Sequence, residues 1–241
     1  SIADGMQKAV EQQMRSERLK TELITNVSHD IKTPLTSIVS YVDLLKKEKM
    51  PSDAARQYLD VLDRQSARLK KLTEDLVEAS KASTGNLSCT LEPTDVNVLL
   101  GQVMGEYEGK LEAGQLEPIV LEDPSSPKIL ADGRLLWRVF DNLLSNICKY
   151  AMPGTRVYLS SAVENGKVVI CFKNISRSAL NISADELMER FVRGDSSRST
   201  EGSGLGLSIA QSLTNLQKGS FDLVVDGDLF KANISFPRLT A

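Results

Sequence analysis

The chain has 241 residues, more than one small domain needs and enough for two. Its 29 basic and 32 acidic side chains give a net charge of −3, which does not indicate nucleic acid or an anionic membrane as the main partner. Hydrophobic residues at 41% and charged residues at 25% exclude a largely disordered chain.

The sequence has no apolar run of the roughly 18 residues that a membrane-spanning helix needs, and no signal peptide opens it. It begins with Ser1 rather than Met, so we expect a soluble portion of a longer protein. Cys89, Cys148 and Cys171 are odd in number and scattered, which excludes a disulfide framework or a thiolate zinc site. This cysteine usage suits a reducing cytoplasm, where we expect the chain to act.

A change of composition near residue 85 predicts two domains, at residues 1–84 and 87–241. Up to Thr84 there are one glycine, two prolines and two aromatic residues, whereas 14 glycines and six prolines follow. The first domain has apolar residues at every third or fourth position, which predicts two long helices. The first apolar seam comprises Ile24, Val27, Ile31, Leu35, Ile38, Val42 and Leu45. The second comprises Ala55, Tyr58, Leu62, Gln65, Leu69, Leu72, Leu76 and Ala79, with Gln65 as its single polar member.

The two helices are expected to form a hairpin. Between them, KKEKMPSD contains a proline and a candidate N-cap at Ser52 or Asp53, so the chain turns back there. A hairpin with two narrow seams has no closed core, and pairing two hairpins gives a four-helix bundle that has one. We therefore expect a homodimer. The periodicity fits a coiled-coil spacer without chemistry equally well.

The second domain alternates strand-like and helix-like stretches, which predicts an α/β sandwich with helices on one side of a mixed sheet. EPIVLED and KILAD read as short strands, followed by a helix from about Asp132 to Ala151. Two hairpins follow, with turns predicted at Asn165-Gly166 and Asp226-Gly227. Another helix is predicted from about Leu205. The whole chain is thus predicted to be α+β.

The only histidine, His29, lies in NVSHDIKTPLTSI and is predicted to point away from the apolar seam. Asp30 is adjacent, Thr33 lies one turn later on the same face, and Pro34 bends the helix just past the histidine. A neutral imidazole is a nucleophile near pH 7, and a neighbouring carboxylate can orient it and accept its proton. The pattern favours a nucleophilic histidine over an inert surface histidine.

Asn142 and Asn146 are four residues apart inside a predicted helix. Asparagine costs about 0.5 kcal/mol relative to alanine in a helix, so the pair is not explained by helix stability. Amide oxygens suit Mg²⁺, and Lys149, one turn further on the same face with Tyr150, suits phosphate. A solvated polar face is the alternative that these residues leave open.

Gly202, Gly204 and Gly206 lie at the start of a predicted helix in EGSGLGLSIAQSL. Such a start can bind phosphate through backbone N–H groups, although the same pattern also serves as a plain turn. Upstream, RFVRGDSSRST with Arg193 and Arg198 is typical of a lid over a nucleotide. The absence of a GxxxxGK[ST] loop and of an HRD–DFG set excludes the common P-loop and protein-kinase folds.

In combination, these motifs resemble those of the sensor histidine kinases. SHDIKTPLTSI is similar to their phosphoacceptor box, NLLSNICKY to the N-box, RFVRGD to the F-box and GSGLGLSIA to the second glycine box, in the family's order. The resemblance covers nearly the whole chain. It implies a dimerisation and histidine-phosphotransfer domain followed by an ATP-binding domain of the Bergerat type.

The resemblance also implies an activity. His29 would be phosphorylated from ATP with Mg²⁺, Asp30 would act as its base, and the phosphoryl group would pass to an aspartate of a response-regulator receiver domain. Thr33 would position water for dephosphorylation of that regulator. The full-length protein would be anchored in the cell membrane through segments outside this sequence.

For the nucleotide, the resemblance implies that Asn146 binds Mg²⁺ and that Asn142 and Lys149 contact phosphate or metal-bound water. The further nucleotide-binding residues it implies are Tyr150, Asn174, Phe191, Arg193, Arg198, Gly202, Gly204, Leu205 and Gly206.

One family element is missing, the first glycine box with its DxGxG pattern. ICFKNISRSALNI places Asn174 at the family's aspartate and has no glycine after it. An asparagine oxygen can still accept a hydrogen bond from the adenine amine. Two alternatives therefore stay open: a phosphatase-biased or kinase-weak scaffold, which the missing box favours, and an ATPase of the same fold, whose relatives carry a glutamate where Asn142 stands.

Overall fold

The computed structural model describes residues 31, 33–45, 53–83, 87–180, 187 and 205–240. They fall into two compact units, which divide between Ser83 and Thr84. The helical unit holds the described residues up to Ser83 together with Leu205, and the α/β unit holds residues 87–180, 187 and 206–240.

The helical unit contains the two helices that the apolar spacing predicts. Every described residue from 31 to 45 is helical (α1), and α2 runs over Asp53–Ser83. The Tyr41 and Tyr58 rings lie 5.6 Å apart between centroids, so α1 and α2 contact each other as a hairpin requires. Ser52 lies outside the described residues, and Asp53 is the first described residue of α2.

The α/β unit is built on a mixed sheet of five strands with the order β2-β4-β5-β7-β6. β2 and β4 are parallel, and the other neighbours are antiparallel; β1 and β3 form a separate antiparallel pair. The strands are β1 Glu92–Asp95, β2 Glu117–Leu121, β3 Lys128–Ala131, β4 Arg156–Glu164, β5 Lys167–Ile175, β6 Ser220–Asp226 and β7 Leu229–Pro237. The helices are α3 Val96–Ala113, α4 Gly133–Tyr150 and α5 Gly206–Leu216.

The helices cover one face of this sheet. In β4, β5 and β7 every second side chain is buried, because successive residues of a strand point to opposite faces. Phe172 of β5 contacts Phe140 of α4 with ring centroids 5.3 Å apart. The predicted α/β sandwich is therefore confirmed.

The two hairpin turns lie where the sequence predicts them, with a shift of one residue in the second. Asn165 and Gly166 have φ angles of 50° and 77° between β4 and β5, as the predicted hairpin turn requires. Asp226 pairs with Leu229, so the second turn lies one residue later than predicted, at residues 227–228. The helix predicted from about Asp132 begins at Gly133 and is capped by the Asp132 side chain.

Strand β1 and helix α3 were not predicted from the sequence. Three glycines interrupt α3, at positions 101, 105 and 109, and glycine disfavours a helix. The missed signal was Asp95, whose carboxylate accepts hydrogen bonds from the backbone N–H groups of Asn97 and Val98 and so caps the helix.

None of the described helices is long and apolar enough to cross a bilayer. Cys89, Cys148 and Cys171 are free thiols. Burial raises the pKa of each thiol above its usual value, so all three stay protonated at neutral pH.

We predict that Gly219→Ala destabilises the α/β unit by about 1–3 kcal/mol. A Cβ atom at this position, between α5 and β6, would lie 2.6 Å from the buried Phe236 ring and 2.9 Å from the Thr214 methyl carbon. The matched control is Gly101→Ala on the exposed side of α3, where a Cβ meets nothing within 4 Å and should stabilise by about 0.5–1 kcal/mol. Denaturant unfolding of both variants measures the difference, and equal effects would contradict the packing assigned to Gly219.

Candidate functional site

Helix α4 has one apolar face and one face that carries the candidate site residues. Six of its apolar side chains are fully buried against the rest of the α/β unit, namely Leu136, Val139, Phe140, Leu143, Leu144 and Ile147. Asn142 is also buried, at 6% exposure, and Asn146 is half-buried. Burying a polar amide costs free energy unless the amide finds a partner, so the surroundings of these two side chains matter.

The first residue of α5 lies beside both asparagines. A Cβ atom at Gly206 would lie 3.6 Å from Asn142 Oδ1 and 3.6 Å from both amide atoms of Asn146. The sequence singled out these three residues separately, and the structure brings them together. The N-terminus of α5, with the positive end of its helix dipole, therefore lies beside both asparagines.

The amide nitrogens of Asn142 and Asn146 are buried and have no hydrogen-bond partner within the part of the chain that the structure describes. A buried donor left without a partner costs about 1–3 kcal/mol, so such a pair calls for a ligand. Amide N–H groups and a helix N-terminus suit phosphate oxygens, and the amide oxygens suit a hard cation. The residues present therefore fit a polyphosphate with Mg²⁺.

Asn174 lies beside the last turn of α4, at the end of β5. Backbone hydrogen bonds tie the two ends together, from Met152 N to Ile175 O at 2.9 Å and from Arg177 N to Tyr150 O at 2.8 Å. The buried Asn174 side chain points to the helix-covered face and donates from Nδ2 to Ile175 O at 3.1 Å. Because that carbonyl only accepts, it orients the amide and leaves Oδ1 as the end that can accept from a ligand.

Two side chains that the sequence did not single out, Tyr107 of α3 and Asp141 of α4, fix the rotation of α4 about its axis. The buried Tyr107 of α3 donates its hydroxyl to Asp141 Oδ1 at 2.6 Å, and Arg138 pairs with Asp141 Oδ2 at 3.0 Å. Burial, and then the hydrogen bond to Asp141, raise the pKa of Tyr107, so its hydroxyl remains a donor. Because Asp141 directly precedes Asn142 in α4, fixing the position of Asp141 also fixes the direction in which the Asn142 side chain points.

The remaining predicted site residues are placed as follows. Lys149 is exposed and Tyr150 half-buried in the last turn of α4, on the side of Asn146. Leu205 is buried, and Thr33 is exposed on α1. Those that lie outside the described residues are His29, Asp30, Phe191, Arg193, Arg198, Gly202 and Gly204.

Two domain families match the chain. Residues 19–85 match the His Kinase A (phospho-acceptor) domain. Residues 131–236 match the histidine kinase-, DNA gyrase B- and HSP90-like ATPase domain.

Similar curated proteins include Sensor protein VanSC of Enterococcus gallinarum, 30% identical over 226 residues, which cover 92% of this chain and 62% of that protein. Sensor protein VanS of Enterococcus faecium is 30% identical over 204 residues, covering 82% and 52%. The chain thus spans about half to three fifths of the length of these two relatives.

Among solved structures, Acinetobacter baumannii histidine kinase AdeS superposes with a TM-score of 0.70 at 19% identity, over 88% of this chain and 98% of that one. Histidine kinase ThkA, in complex with response regulator protein TrrA, superposes with a TM-score of 0.73 at 19% identity, over 96% and 66%. These likenesses establish the fold. Because the chain carries the phospho-acceptor and ATPase domains in this order, it belongs to the sensor histidine kinases of two-component systems and holds their kinase core.

Proposed function

We propose that the chain transfers the γ-phosphoryl group of ATP to His29 and then to an aspartate of a response-regulator receiver domain. The observation that carries the proposal is the pair of buried amide nitrogens of Asn142 and Asn146, which face the start of α5 and have no hydrogen-bond partner among the residues that the structure describes. Such a pair next to a helix N-terminus offers donors to an anion, and the match to the ATPase domain makes ATP the anion of choice.

The α/β unit would hold the nucleotide at its phosphates and at its adenine base. Asn142, Asn146 and the α5 amides donate to the phosphates, while Asn174 Oδ1 accepts from the adenine amine. Mg²⁺ would be held by the Asn146 amide oxygen, and when bound it spreads the negative charge of the transferred phosphoryl group. The protein's part is positioning and electrostatics, with little covalent chemistry before the phosphoryl group reaches the imidazole.

The helical unit would supply the acceptor. The match to the phospho-acceptor domain includes His29, and Asp30 would orient its ring and take its proton. Thr33 is exposed on α1, one turn beyond His29, where its hydroxyl would position water for dephosphorylation of the regulator. ThkA was solved with a response regulator, and we propose a partner of that kind for this chain.

The helical unit also supports a homodimer. In a single chain α1 and α2 expose large apolar side chains, at 48% for Leu35, 53% for Val39, 57% for Leu59 and 49% for Val77. Two such hairpins would cover these side chains in a four-helix bundle.

We propose that the core acts in the cytoplasm, as part of a longer protein that is anchored in the membrane. Its net charge of −3 gives no reason to expect nucleic acid.

The two alternatives are less well supported. An ATPase that activates water needs a base, and the neutral amide of Asn142 cannot take a proton. A scaffold without nucleotide would leave the two buried amide nitrogens without a partner in the described part of the chain, at a cost of about 1–3 kcal/mol each. The missing first glycine box is compensated in part because Asn174 keeps an oriented acceptor.

We predict that Asn146→Asp reduces transfer of label from γ-labelled ATP to the protein by at least roughly a hundredfold, while the fold persists. The carboxylate would remove the unpartnered donor, repel the phosphates and change the ligand shell of Mg²⁺. The control is Asn215→Asp, which adds the same charge to an exposed position of α5. Near-normal labelling of the Asn146 variant would remove this residue from the metal and phosphate site.

We further predict that Gly206→Ala leaves stability nearly unchanged but weakens binding of a non-hydrolysable ATP analogue by about tenfold or more. Its methyl group would meet the asparagines at 3.6 Å, an ordinary contact, and would occupy the gap where phosphate is expected. Gly105→Ala, on the exposed side of α3, is the matched control. Calorimetric titration and thermal unfolding separate the two effects, and unchanged affinity would place the phosphates elsewhere.

A further inference from the structure

Asp132 makes more contacts than a helix cap requires. Its buried carboxylate, at 3% exposure, caps α4 through Oδ1, which accepts from Arg134 N at 3.1 Å and from Leu135 N at 3.4 Å. One oxygen satisfies the cap, since an N-cap needs a single acceptor. The contacts of the other oxygen and of the backbone N–H therefore need a separate explanation.

The second oxygen holds residues 87–91, the first described residues of the α/β unit, which we call the lead-in segment. Oδ2 accepts from Thr90 N at 3.1 Å and from the Arg134 guanidinium at 2.9 Å. Burial alone would raise the pKa of Asp132, but the hydrogen bonds from Thr90 and Arg134 bring it below its usual value. The carboxylate is therefore ionised at neutral pH and binds the Thr90 amide by a charge-assisted hydrogen bond.

The backbone of the same residue holds the end of α5. Asp132 N donates to Gln217 Oε1 at 2.9 Å, and Gln217 Nε2 donates to Leu213 O at 3.0 Å. Gln217 is 1% exposed, so water does not compete for these bonds. Helices α4 and α5 are thus joined at one end by Asp132 and Gln217, and they approach again near Gly206 at the other.

This arrangement links the lead-in segment to the candidate nucleotide site. Asn142 lies ten residues beyond Asp132, about 15 Å along a rigid helix. A displacement of Thr90 would shift Asp132, and with it the hydrogen bond to Gln217 that joins α4 to α5. A change in the distance between Gly206 and the two asparagines would shift the same hydrogen bond from the opposite ends of the two helices. The geometry points to Asp132 as a positioning residue that couples residues 87–91 to nucleotide binding. The inference rests on the nucleotide site proposed above.

Because coupling between two sites is reciprocal, nucleotide binding must alter the Thr90 hydrogen bond if that bond influences the nucleotide. The test uses the full chain with Mg²⁺ and a non-hydrolysable ATP analogue, and measures hydrogen exchange of the amides of residues 87–91 together with analogue affinity. In the wild type we expect saturating analogue to slow exchange of the Thr90 amide by about fivefold or more.

Asp132→Asn separates the two functions of the carboxylate. The amide keeps one oxygen for the cap, but its NH₂ group cannot accept from Thr90 N, so fast Thr90 exchange should become independent of analogue and affinity should fall about fivefold. Arg134→Ala removes the ion pair yet keeps the Thr90 bond, and it should behave as the wild type does. Thr90→Pro removes the same N–H from the other side and is read by analogue affinity alone, because proline has no amide hydrogen to exchange. If Asp132→Asn does not fold, a fall in the affinity of Thr90→Pro of about fivefold supports the coupling, and unchanged affinity overturns it.

The outcomes are distinguishable. A wild type that binds analogue with no change in Thr90 exchange would show Asp132 to be a structural cap and would overturn the coupling alone. A wild type that binds no analogue would defeat the proposed function together with the inference.

Discussion

The site depends on one physical constraint, that a buried hydrogen-bond donor needs an acceptor. Helix α4 buries the amides of Asn142 and Asn146 without giving their N–H groups a partner in the described part of the chain. Leucine or alanine at these positions would avoid that cost, and the fold retains it where α5 begins with Gly206. The two unsatisfied donors lower the stability of the free protein, and a ligand that accepts hydrogen bonds from them would restore it, as expected of a binding site.

The rest of the α/β unit serves to aim these two side chains. Tyr107 and Asp141 fix the rotation of α4 against α3, and Asp132 fixes where α4 begins. The apolar face of α4 packs toward the alternate side chains of β5, illustrated by the contact of Phe140 with Phe172. A helix fixed at its start, at its side and by the sheet beneath it holds its polar face in one orientation, so the proposed phosphate ligand would not need to order it on binding.

Much of the fold could be predicted because its signals are local. The hairpin from β4 to β5 follows from side-chain alternation and an Asn-Gly turn, and Asn142, Asn146 and Gly206 stand out by residue type and spacing. Helix α3 escaped prediction because its glycines obscure the apolar period. The contacts of Asp132 with Thr90 and Gln217 could not be predicted, since these residues lie 42 and 85 positions away in sequence. Pairings of that kind are decided by the packed fold.

The central claim is that a phosphoryl group moves from ATP to His29. Its most direct measurement is incubation of the full chain with γ-labelled ATP and Mg²⁺, followed by acid and base treatment of the labelled protein and of His29→Gln. The account predicts acid-labile, base-stable label on the wild type and none on the variant, as a phosphorus–nitrogen bond requires. Label that persists on His29→Gln, or free phosphate released without any labelled protein, would contradict it.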